Sequence, residues 1–137
     1  MNRDRPWETP EAEWRAQVNR VRAGKRLAPV RWPGGARCAF AFSFDCDHET
    51  FEMGSGGGAI GRLAWGEFGR RTGVPRILDV LGKHDLNASF FVPAVAGLIE
   101  PDALKSITEA DHEIGVHGWI HENTSLLKRD VEKDLML

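Results

Sequence analysis

Ser43-Phe44-Asp45-Cys46-Asp47-His48-Glu49 closes an apolar run, Cys38-Ala39-Phe40-Ala41-Phe42, and turns at once into carboxylates and a histidine. An apolar run of strand length ending in acidic residues predicts a buried parallel strand, here Arg37 to Phe44, whose C-terminal end opens into a site. Side chains two apart on a strand share a face, about 6.5 Å apart, so Asp45 and Asp47 point the same way. Carboxylates that close repel unless a proton or a cation lies between them. The stretch therefore reads as half of a metal site.

Downstream, Val74, Ile77, Leu78 and Leu81 form a helical stripe with Pro75 near its start. His84 falls at the end of this helix and reads as a terminal residue only. Asn87 to Pro93 predicts a second strand, Pro101 to Ala110 a second helix, and Glu113 to His117 a short third strand. Strands linked by helical crossovers are parallel, which predicts an α/β fold. Lys128 to Leu137 begins a further helix with Leu127, Val131 and Leu135 on one face. Between the first strand and the stripe, Gly54 to Gly61 is rich in glycine. Gly56, Gly58 and Gly61 satisfy G-x-G-x-x-G, but a dinucleotide fingerprint needs a strand directly before it. A mobile loop beside the site is expected instead.

The other half of the site is His117-Gly118-Trp119-Ile120-His121. In parallel α/β sheets the C-terminal strand ends share one face, so this segment and the aspartates converge. Kept extended, the two histidines would stand about 13 Å apart, too far for one ion with bonds near 2.0 to 2.2 Å. The chain is therefore expected to bend near Gly118. Two histidines and one carboxylate with an open position suit zinc, and also iron, cobalt or nickel. The remaining carboxylate would lie beside the bound water and take its proton during attack on an amide-like bond.

Ser43-Phe44-Asp45-Cys46-Asp47 and His117-Gly118-Trp119-Ile120-His121 resemble the first and second motifs of the polysaccharide deacetylase (NodB-homology, carbohydrate esterase family 4) superfamily. Gly66 to Gly69, Arg76 to Leu78, Ala88 to Pro93 and His112 to Gly115 are similar to the branch with peptidoglycan-deacetylase-like, allantoinase-like and cyclic-imide-hydrolase-like members. The resemblance implies the N-terminal portion of a distorted (β/α) barrel, truncated after about the third strand, with residues 1–36 as an arm and 37–137 as the barrel portion. It implies Asp45 as catalytic base and Asp47, His117 and His121 as metal ligands. Gly118 stands where many members have a Ser or Thr that orients a ligand. The family's later motifs, which supply an oxyanion contact and a histidine acid, have no counterpart before Leu137. Cys46 should face packing; His48 and Glu49 are alternative site members, and Glu67 and Arg76 line the pocket or form an ion pair.

The bulk numbers set limits. At 137 residues one domain is the ceiling, and a net charge of −2 does not advertise nucleic acid or an anionic membrane. Residues 1–37 carry nine Arg and Lys against four acids, read as a solvated arm, and residues 1–36 show two weak helical stretches, with Trp14, Val18 and Val21 at helical spacing, and a turn at Trp32-Pro33-Gly34-Gly35. No signal peptide or span is evident, and Cys38 and Cys46 would lie about 26 Å apart if extended, so free thiols and a cytoplasmic setting are expected. The expected partner is a saccharide or small-molecule substrate, with a homo-oligomer compatible. Three functions compete: a metal-dependent hydrolase of non-peptide C–N bonds that deacetylates an N-acetylated carbohydrate, a cytosolic cyclic-imide or ureide hydrolase, and a catalytically incompetent fragment.

Overall fold

Three short parallel strands form the centre of the α/β portion: β1 (Ser43–Asp45), β2 (Ser89–Val92) and β3 (Glu113–Val116), in the order β1-β2-β3. The register pairs Phe44 with Phe90 and Phe90 in turn with Ile114, and likewise Asp45 with Phe91 and Phe91 with Gly115. Alternation along β2 does the rest, because Phe90 and Val92 are buried while Ser89 and Phe91 are only partly so. Phe90 is completely buried and stacks on Phe44 at 5.1 Å between ring centroids. Gly115 is glycine for a local reason: a Cβ there would meet the Phe91 ring. The computed structural model describes residues 8–21, 24 and 29–135.

The helices are α2 (Thr50–Met53), α3 (Ile60–Phe68), α4 (Val74–Lys83), α5 (Ala94–Ile99), α6 (Pro101–Glu109) and α7 (Arg129–Leu135), numbered after α1 (Glu11–Val18) in the arm, and α4, α5 and α6 supply the residues that share the core with Phe90. The stripe of α4 works as its spacing requires: Val74 and Leu81 are buried, and Ile77 and Leu78 pack against the core. Pro75 sits in its first turn and His84 caps its end. Pro101 opens α6, whose Ile107 is buried and whose Leu104 packs on the core. A Cβ on Gly97 of α5 would press on the Leu104 side chain, so a small residue lets the two helices approach. Cys46 is buried in this core.

Several expectations need correction. The first strand is Ser43–Asp45 rather than Arg37 to Phe44, and it is an edge strand with Ser43 and Asp45 exposed. Its partner β2 starts only at Ser89, so apart from the Ser89 N–H donating to the Phe42 carbonyl, residues 37–42 find no ladder beside them. The glycine-rich segment is no mobile loop throughout: Ile60 and Gly61 belong to α3, and Gly54, Gly56 and Gly57 donate to the carbonyls of Thr50, Met53 and Glu52. The buried Glu52 carboxylate also accepts from Ala59 N–H at 3.0 Å, pinning the turn from inside. α3 and α4 run on through a wide π-helical turn, Gly69–Gly73.

The chain divides into two units, residues 1–39 and 40–137. In the first, Trp14 and Val18 of α1 and Val21 beyond it are exposed, and Pro33–Gly35 forms a tight turn with Gly34 and Gly35 at positive φ. Residues 1–7, 22, 23, 25–28, 136 and 137 lie outside the description, and with them parts of the expected second helical stretch and of the helix to Leu137.

Candidate metal centre

Asp47 follows β1 and His117 follows β3, so parallel topology puts both past the same end of the sheet. The Asp47 carbonyl accepts from Thr50 N–H at 2.9 Å and from the fully buried Thr50 hydroxyl at 2.5 Å, which ties the aspartate loop to α2. His117 Nε2 lies 3.3 Å from Asp47 Oδ1, and His121 Nε2 lies 3.4 Å from Asp47 Oδ2. One donor atom from each of the three residues falls within 4.8 Å of the other two. A tetrahedral ion with bonds near 2.1 Å sets its donors about 3.4 Å apart, and the two Asp47–histidine separations, each to a different carboxylate oxygen, match that value. Asp47 Oδ1 is buried without a hydrogen-bond partner, an acceptor that a cation would satisfy.

The histidine segment bends where a bend is needed. Gly118 has φ +78° and His121 φ +60°, and the two rings come to 5.1 Å between centroids. Three supports hold the bend. The first N–H groups of α5, on Ala94 and Val95, donate to the Gly118 and Trp119 carbonyls at 3.1 and 2.8 Å. The backbone of Gly54 lies so close beneath the Ile120 and His121 carbonyls that a Cβ there would overlap them. Finally, the Glu122 carboxylate accepts from Trp119 N–H at 3.0 and 3.1 Å and from Ile120 N–H at 2.8 Å. Burial alone would raise the Glu122 carboxyl, but these N–H bonds, with His121 nearby, hold it below the ordinary range.

Asp45 is exposed and, with Asp47 and His48, lines a cleft of about 500 Å³ whose other walls include Phe51, Trp65 and Ile77. His48 adopts φ +50°, and burial, with lesser contributions of both signs from neighbouring charges, lowers its pKa. Glu49 is occupied elsewhere: it pairs with Arg70 at 2.9 Å, and Arg70 also reaches Glu100 at 2.5 Å. Both Arg70 and Glu49 are nearly buried. Burial raises the Glu49 carboxyl, yet the Arg70 hydrogen bonds and charge outweigh this and lower it. Gly66 of α3 packs against the His48–Glu49 backbone, where a Cβ would collide. Cys46 is buried where the cleft meets the core, and burial, then the Asp47 and Asp45 charges, push its thiol up to about 11. Glu67 pairs with Arg71 on the surface, Arg76 is exposed on α4, and neither lines the cleft.

Two contributors have no local sequence signal of their own. Arg70 is 21 residues from Glu49 and 30 from Glu100. Glu122 follows His121 directly, and its one hint is Gly118, which leaves room for a carboxylate.

A parallel α/β sheet with a donor cluster at its C-terminal strand ends is an architecture shared by many enzymes, and comparison with known proteins narrows it. Residues 50–136 match the polysaccharide deacetylase family model, and the chain belongs to that family. The match includes His117 and His121 and begins just after Asp47. The peptidoglycan deacetylase of Helicobacter pylori is 32% identical over 99 residues, covering 71% of this chain and 34% of that protein. A Mycobacterium smegmatis protein assigned to the polysaccharide deacetylases superposes with a TM-score of 0.71 at 34% identity, over 80% of this chain and 39% of its own. The Puue allantoinase gives a TM-score of 0.70 at 26% identity, over 80% and 44%. The chain thus spans about a third of the curated relative and less than half of the solved barrels, and its fold corresponds to a portion of that barrel.

Proposed function

We propose that residues 37–137 form the metal-holding, water-activating part of a hydrolase that removes the acetyl group from an N-acetylated carbohydrate, with residues 1–36 as an arm. The observation that carries this is the convergence of one donor atom each from Asp47, His117 and His121 within 4.8 Å, with Asp47 Oδ1 buried and unpartnered, in a chain of the polysaccharide deacetylase family. Zinc suits this donor set best, and iron, cobalt or nickel would accept it. Such an ion, when bound, supplies Lewis acidity to a water and to the amide carbonyl. Asp47, His117 and His121 would hold it, leaving Asp45 free. Asp45 takes the proton of the attacking water, and its exposed carboxylate in the cleft leaves room for both water and substrate. Phe51, Trp65 and Ile77 give the cleft apolar walls against which an acetyl group or sugar face can pack.

The likeness to the Puue allantoinase favours a second reading, opening of a small cyclic ureide or imide by the same groups. Two unpaired cysteines suit a cytoplasmic setting for either reaction, and among the described residues no helix is long and apolar enough to cross a membrane.

The test uses the purified chain with zinc or cobalt added, assayed for acetate release from N-acetylglucosamine oligomers and for loss of imide absorbance. Acetate release supports the first reading, imide opening alone the second, and stoichiometric metal without turnover on either substrate an incompetent fragment. Asp45→Asn should cut turnover about 10²- to 10⁴-fold with metal retained. Loss of the metal in that variant would make Asp45 a ligand and overturn the division of roles.

A further inference from the structure

Between the two histidines lies a segment of backbone that must make a left-handed turn and still present both imidazoles to one point. Gly118 at φ +78° begins the turn and His121 at φ +60° ends it. The N–H groups of Trp119 and Ile120 inside this turn face a single side chain. Glu122 folds back so that Oε2 accepts from both, at 3.0 and 2.8 Å, while Oε1 accepts from Trp119 at 3.1 Å. The carboxylate also fills the space beside Gly118, where an added Cβ would stand 2.9 Å from Oε1 and 3.2 Å from Cδ and Oε2. A Ser or Thr at 118 would strain the backbone at φ +78° and push the Glu122 carboxylate out of this position. The glycine and the glutamate are therefore one device, a carboxylate that grips the turn from within.

We infer that Glu122 is a positioning residue: by accepting from the Trp119 and Ile120 N–H groups it presets the distance between the His117 and His121 donors. The inference rests on the reading of those histidines as ligands. Glu122 needs no direct bond to either ring for this, since fixing the backbone between them fixes where their Cβ atoms start. Outer partners of metal ligands commonly matter this way, and their loss costs about 10- to 100-fold in metal affinity.

The test combines titration of the metal-free chain with Co²⁺ and Zn²⁺ and hydrogen exchange at the Trp119 and Ile120 amides, for wild type, Glu122→Ala, Glu122→Asp and Glu122→Gln. Glutamine can set its one oxygen at the Oε2 position and accept from both amides, whereas aspartate keeps the charge but is too short. Glu122→Ala and Glu122→Asp should weaken Co²⁺ binding about 10- to 100-fold, with faster exchange at both amides and unchanged exchange in β2. Glu122→Gln should recover most of the affinity. The reverse order, aspartate retaining affinity and glutamine losing it, would show that charge rather than the two bonds matters and would overturn the inference. Unchanged affinity in Glu122→Ala would overturn it as well, whatever the amides do. If Glu122→Ala does not fold, the Asp and Gln pair still decides. A wild-type chain that takes up neither ion would refute the ligand reading instead, and amide exchange in the variants would still say whether Glu122 holds the turn.

Discussion

Asp47 and Glu49 leave the same short loop and enter two different polar clusters. Glu49 meets Arg70, which also holds Glu100, so a nearly buried cation lies between two carboxylates. Asp47 meets two imidazoles, and its Oδ1 is buried with no hydrogen bond at all. The residue types are ordinary in both cases. Each cluster leaves one buried carboxylate oxygen without a hydrogen bond, Glu49 Oε2 and Asp47 Oδ1; what separates the brace from the candidate site is that Glu49 already pairs with a cation, Arg70, whereas Asp47 faces only two imidazoles.

The contrast breaks most sharply under substitution. Changing His117 and His121 together to Ala should take bound zinc from one ion per chain to none, measured by elemental analysis after dialysis, while the metal-free protein keeps its denaturation midpoint. Arg70→Ala should do the opposite, costing about 3–5 kcal/mol in chemical denaturation because it strands a nearly buried carboxylate. A small Arg70 effect would mean the brace is no brace. Gly54→Ala lies between the two. Its Cβ would strike the Ile120 and His121 carbonyls, and forced contacts of this kind cost about 1–3 kcal/mol, so both stability and metal affinity should fall.

Acid offers a gentler probe. Glu49 and Glu122 both have carboxyls held below their ordinary value in the folded chain. A depressed folded pKa gives stability that is complete above the unfolded value of about 4.5 and is lost as pH falls through the folded one. Urea denaturation of the metal-free chain should therefore weaken below about pH 4.5, and Glu49→Gln should flatten that slope. The smallest effect concerns thiols. With Cys46 buried and its thiol raised to about 11, a thiol reagent near pH 8 should label Cys38 at once and Cys46 only on unfolding.

Regular patterns carried the legible part of this molecule. The period of α4 and the alternation in β2 both reflect burial on one face, and burial is what hydrophobic spacing records. α3 was hidden because Gly61 and Gly66 look like loop residues, although Gly66 is there to let the helix lie against the His48–Glu49 backbone. α5 was hidden because Ala94 to Ile99 is apolar throughout and has no stripe to read. In the candidate site, spacing and strand order brought the Asp45–Asp47 pair and both histidines to one face in advance, the family resemblance alone singled out Asp47 as the ligand, and bond lengths demanded the bend at Gly118. The Arg70 brace joins residues far apart in the chain, and nothing local announces such a pairing.

The left-handed backbone at His121 has an evolutionary consequence. Among side chains able to bind a metal, Asp and Asn tolerate that conformation nearly as well as His, whereas β-branched and bulkier residues do not. Ligand exchange at this position therefore has one cheap route, from imidazole to a short oxygen donor. On the proposed ligand role, a lineage taking it would shift the donor set toward harder ions such as manganese or magnesium, and the backbone would need no rebuilding.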